Sequence, residues 1–172
     1  MAIAYDEAVT VATRDAAKDA ERILATTWGE GKYPIDPVRI ARRLGIDVLE
    51  AQLDQNVFAA LVKQIGQDPA ILLNAMDSPN RKRFSCAHEI GHFVRRSDQT
   101  EEYEYLDLRS PLSSTGQDPE EIYANTFAAC LLMPEKEVRR LHRSGTNELE
   151  MADYFDVSRE AMQFRLKNLG LT

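Results

Sequence analysis

His88 and His92 bracket Glu89 in His88-Glu89-Ile90-Gly91-His92, an HExxH pattern that holds two of the chain's three histidines. At about 100° per residue, helix positions four apart are offset by only about 40° and one turn of rise, so both imidazoles reach a single ion. Glu89 lies about 100° round the helix from His88, close enough to touch a water on that ion without entering its coordination shell. The spacing supports metal-assisted hydrolysis, with His88 and His92 as metal ligands and Glu89 as catalytic base. A glycine inside a helix costs about 1 kcal/mol relative to alanine, so Gly91 marks a close approach by another element.

A hydrolytic zinc site needs a third protein ligand and an open position for water. Glu121, in Glu121-Ile122-Tyr123-Ala124-Asn125, is the preferred candidate, because its helix face continues through Ala124 and Ala128, small enough to lie close to the HExxH helix. A competing reading pairs Glu121 with Asp118 in a capping box. Glu120 is the neighbouring fallback, facing about 100° away. Asp98 stands where a metzincin pattern places its third ligand, but Arg95 occupies the position at which that pattern needs glycine to turn. His142 sits among Arg139, Arg140 and Arg143, a surface setting. The reaction also needs an oxyanion donor, for which Tyr103, Tyr105 and Tyr123 are equivalent candidates.

The elements that must carry these residues are legible from periodicity and caps. Asp77-Ser78-Pro79 opens the HExxH helix, which runs to about Arg96, and Asp118-Pro119 opens the Glu121 helix, which ends before Pro134. Alanines 8, 12, 16 and 20 recur at helical spacing and give residues 5–26 a narrow seam for close packing. Asp36-Pro37 starts a short helix stopped by Gly45, and another begins at Pro134. Apolar runs at 46–51, 57–63 and 70–74 predict a small, partly antiparallel sheet. Its edge is expected at Ile71, Leu72, Leu73 and Asn74, where an extended peptide substrate would bind by strand addition. The polar stretch 97–117, with a short strand at Tyr103 to Tyr105, is long for a loop and is expected to edge the site or cover it. The fold class is therefore α+β, a mostly helical, zincin-like domain with a three-stranded sheet and a C-terminal helical module. Residues 1–172 read as one domain: an N-terminal helix (5–26), a core (34–142) and a helix-turn-helix-like module (146–172).

Composition sets the remaining bounds. The chain has 172 residues, 44% apolar and 28% charged, enough for a real core. Lys plus Arg is 21 against 28 for Asp plus Glu, a net charge of −7, which gives no basic footprint for nucleic acid. No secretory signal is readable at the start, and the longest apolar run, Phe127 to Met133, is too short to span a bilayer. A cytoplasmic location with no membrane partner is expected, with Cys86 and Cys130 as reduced, buried thiols. The main rival function is DNA binding. Ala152, Asp156, Val157, Ser158 and Met162 match helix-turn-helix spacing, with Arg159, Gln163, Arg165 and Lys167 on the second helix. The acidic charge and the Asp156 that replaces a turn glycine weigh against it. A non-catalytic zinc module of the toxin or antitoxin kind is the other alternative. Nothing in the sequence sets an oligomeric state.

The ordered set Arg81 to His92 followed by Glu121 to Pro134 resembles the ImmA/IrrE family of zinc metallopeptidases. The likeness extends to Pro37 through Ile46 and to Phe155 through Ala161, covering about 34–170 but not the N-terminal helix. It implies a cytoplasmic zinc-dependent endopeptidase of gluzincin type, with His88, His92 and Glu121 as ligands. It also implies a substrate class, helix-turn-helix repressors of the Xre type, whose cleavage relieves repression of mobile elements or stress genes. An acidic protein would suit docking onto such a basic repressor.

Overall fold

The computed structural model describes residues 2–29, 31–97, 105–109 and 118–172. Helix α1 (Ala2–Thr27) buries Ala12, Ala16, Ala20 and Ile23, the expected small-residue seam, and lies along α4 (Pro119–Leu132). Helix α2 (Pro37–Arg43) starts at Asp36, whose carboxylate accepts from the backbone N–H of Val38 and Arg39 at 3.0 and 3.2 Å. Helix α3 (Pro79–Ser97) carries the HExxH residues. Three further helices follow α4: α5 (Glu135–Arg143), α6 (Glu148–Phe155) and α7 (Arg159–Asn168). The fold is α+β and mostly helical, as the periodicities predict.

The three expected strands are present as β1 (Asp47–Ala51), β2 (Ala59–Lys63) and β3 (Ala70–Asn74), and β4 (Tyr105–Arg109) extends the sheet on the β2 side. The strand order is β1-β3-β2-β4, with β1 parallel to β3 and the other pairs antiparallel. Ala59, Leu61, Ile71 and Leu73 are buried, and α3 packs on β2 and β3. This order overturns one expectation. β3 is hydrogen-bonded on both sides, so Ile71, Leu72, Leu73 and Asn74 form no free edge and cannot take a substrate strand. Asn74 is further spent on the chain itself, donating to the carbonyls of Val57 and Asp54 at 2.8 and 3.3 Å and accepting from the N–H of Met76. Most of the stretch 97–117, including Asp98 and Tyr103, lies outside the described residues.

Four helices end on arginines drawn from distant parts of the sequence. The last carbonyls of a helix lack internal partners and carry the negative end of its dipole, so a cation there satisfies both demands. Arg43 donates to Thr27 O at the end of α1, and Arg165 to Met133 O at the end of α4 (3.0 Å). Arg83 reaches Phe155 O and Asp156 O at the end of α6 (3.3 and 3.0 Å), and Arg139 reaches Leu169 O at the end of α7 (3.2 Å). Through Arg83 and Arg165 the C-terminal module is locked to the core. Asp156 adopts the left-handed conformation (φ 53°) that ends α6, a role the turn usually gives to glycine.

Candidate metal centre

Two helices converge on one point. On α3 the i, i+4 spacing brings the Nε2 atoms of His88 and His92 to 3.0 Å. From α4, the Glu121 carboxylate oxygens stand 3.5 Å from His88 Nε2 and 3.2 Å from His92 Nε2. Two atoms each about 2.0–2.1 Å from a tetrahedral ion are about 3.3 Å apart, so these edges match a face that a tetrahedral metal ion could cap. Among the described residues, this is the group of histidine, cysteine and acidic side chains able to hold a metal ion. Both histidines are buried, with Glu121 partly open, and Glu89 is fully buried beside them on α3.

The approach of the two helices depends on Gly91. A Cβ built there would meet Ala124 Cα, Phe127 Cβ and Phe127 Cδ1, each at 3.2 Å. The lost side chain thus lets α4 bring Glu121 within reach of the histidines. Gly91→Ala gains about 1 kcal/mol of helix propensity but incurs about 1–3 kcal/mol of overpacking against a backbone atom that cannot rotate away. The expected net result is a loss of about 1 kcal/mol in urea unfolding of the metal-free protein, and a larger loss for Gly91→Val. Equal or greater stability in both variants would refute this account.

The other candidates fall elsewhere. Glu120 is exposed, with Arg95 Nε 3.5 Å from its carboxylate, and His142 is exposed on α5. No capping box claims Glu121, since the Asp118 carboxylate accepts from the N–H of Glu120 at 2.9 Å while the Glu121 side chain turns to the histidines. Tyr123 is not the oxyanion donor. Its ring is fully buried, its hydroxyl donates to Asp19 of α1 at 2.7 Å, and Arg95 lies over its face at 4.9 Å. Burial, with Asp19 beside it, pushes the phenol well above its ordinary range, so Tyr123 fastens α1 to α4. Burial likewise raises the thiols of Cys86 and Cys130, both free, which favours their protonated form.

A family model described as the IrrE N-terminal-like domain, peptidase M78, matches residues 41–167. The chain belongs to this family. The match contains α3 and α4 complete, and with them His88, Glu89, His92 and Glu121, whereas α1 lies before it. No curated protein matches. Among solved structures, a Mycobacterium tuberculosis transcriptional regulator is similar in fold, with TM-score 0.58 and 16% identity over 89% of this chain. This chain spans 47% of that protein's length.

One residue of the centre escaped the motif reading. Asn125 Oδ1 is 3.0 Å from His88 Nδ1, the ring nitrogen turned away from the convergence point. Its signal was spacing: it follows Glu121 by one helical turn and so shares its face. Asn125 also lines a groove of about 1060 Å³ that reaches Ile122 on α4, Phe84 on α3 and Phe164 on α7.

Proposed function

We propose that this chain is a zinc-dependent endopeptidase that cleaves a helix-turn-helix repressor of the Xre type in the cytoplasm, relieving repression of a mobile element or stress genes. The observation that carries the reading is the convergence of His88, His92 and Glu121, with donor separations of 3.0–3.5 Å, on a helix that also bears buried Glu89. Zinc, when bound, polarises the scissile carbonyl and lowers the pKa of a coordinated water toward ~7. Glu89 acts as general base, takes the proton of the attacking water and returns it to the leaving amine. The strand-addition role passes from residues 71–74 to β4, which pairs only with β2 among the described residues.

Protein rather than DNA is the partner that the surface supports. Of the basic residues on α7, Arg165 is buried and caps α4, and Arg159 pairs with Glu148 at 2.6 Å. Gln163 also donates to Glu148, at 2.9 Å. Among the described residues, no helix is long and apolar enough to cross a membrane. With a net charge of −7, docking onto a basic repressor is screened by salt, so raising ionic strength from 0.05 to about 0.5 M is expected to raise KM several-fold. A KM that does not respond to salt argues for an apolar docking surface instead.

The deciding experiment combines metal analysis with co-incubation of the zinc-loaded protein and a neighbouring Xre-type repressor, read by mass spectrometry. One zinc per chain and discrete repressor fragments that disappear with a chelator are expected. Bound zinc with an intact repressor would sink the peptidase reading and favour a non-catalytic zinc module.

A further inference from the structure

We infer that Asn125 is a positioning residue with two working faces: its carbonyl oxygen orients His88, and its amide nitrogen offers a hydrogen bond to a backbone carbonyl of a peptide lying in the groove. The inference rests on the peptidase reading above and deepens it.

The assignment of the two faces follows from the ring. If Nε2 of His88 faces Glu121 and His92 as a metal donor, its lone pair must be free, and the ring proton must then sit on Nδ1. The atom 3.0 Å from Nδ1 therefore has to be an acceptor, which is the amide oxygen Oδ1 and not the nitrogen. His88 is only 1% exposed, so water does not replace this acceptor. With Oδ1 committed inward, Nδ2 lies on the other branch of the amide, on a half-buried residue that lines the groove. Among the described residues no group accepts from it.

Asparagine is a particular choice here. Aspartate would accept from Nδ1 at least as well, but it would add a third carboxylate beside Glu89 and Glu121 and would present an acceptor to the groove. A peptide chain in that groove brings carbonyls that need donors. Helical spacing makes the arrangement rigid: α3 offers its histidines at i and i+4, and α4 offers Glu121 and Asn125 at the same interval. Ligand and orienting group thus move together on one turn of helix.

Two substitutions separate the faces. Asn125→Leu keeps the shape and removes both, whereas Asn125→Asp keeps the acceptor and removes the donor. In zinc-loaded protein, a long-range proton–nitrogen NMR correlation reads which ring nitrogen of His88 carries the proton, and chelator competition reads the zinc Kd. Asn125→Leu is expected to weaken zinc by roughly 10–100-fold and to change or blur the His88 tautomer. Asn125→Asp is expected to keep the wild-type tautomer and a zinc Kd within a few-fold, while raising KM for the repressor by roughly 5–20-fold. A wild-type tautomer and zinc Kd in Asn125→Leu would overturn the orienting role. An unchanged KM in Asn125→Asp would overturn the donor role. Wild-type protein that holds zinc but cuts nothing sinks the peptidase reading and the donor role with it, and the tautomer and zinc measurements still decide the orienting role.

Discussion

Replacing Glu89 by glutamine is expected to leave zinc bound and to remove peptide cleavage. Glutamine has nearly the volume of glutamate, which matters at a position with 0% exposure, so α3 keeps its packing and its histidines. The residues that could hold the ion are His88, His92 and Glu121, and none of these is changed. What disappears is the proton acceptor, since an amide cannot take the proton of the attacking water or return it to the amine. General base catalysis of this kind is worth about 10²–10⁴ in rate, or about 3–5 kcal/mol of barrier. The expected result is therefore an unchanged zinc stoichiometry with kcat reduced by at least about a hundredfold. Undiminished proteolysis would remove Glu89 from the mechanism, and loss of zinc would move it into the coordination shell.

The convergence of His88, His92 and Glu121 was legible because each half of this candidate centre is local. An i, i+4 histidine pair on a capped helix predicts its own geometry, and the small residues Gly91, Ala124 and Ala128 predict that a second helix comes close, as the 3.2 Å contacts at Gly91 show. What failed was non-local. The apolar run of β3 reads equally well as an edge or a centre, because nothing within residues 70–74 reveals that β1 pairs with its far side. Tyr123 looked available for chemistry until Asp19, 104 positions earlier in the chain, took its hydroxyl. Arg165 fits a DNA-reading helix by spacing, yet it is 7% exposed and closes the end of α4. In each case the local pattern names a residue type and a face, and a distant partner decides the role.

Glu121→Ala is expected to abolish stoichiometric zinc binding at micromolar protein, while Glu120→Ala keeps it. Zinc binding by four protein ligands is worth about 10–16 kcal/mol, so one ligand carries about 3 kcal/mol, or more than a hundredfold in Kd. With three protein ligands there is less affinity in reserve, and the two histidines left behind cannot hold the ion against buffer. Glu120 supplies a contrast one residue away: its carboxylate is exposed and its partner is Arg95 at 3.5 Å, a surface pair worth little. The pair of variants therefore tests the facing of α4 and not merely the presence of acid on it. Asp98→Ala completes the set, because that residue lies outside the described part of the chain and was the sequence's rival ligand. Zinc lost from Asp98→Ala but retained by Glu121→Ala would replace the gluzincin arrangement with a metzincin-like one. Zinc lost from Glu121→Ala alone, measured by metal analysis after gel filtration, makes the 3.2 Å approach of Glu121 to His92 the third leg of the site.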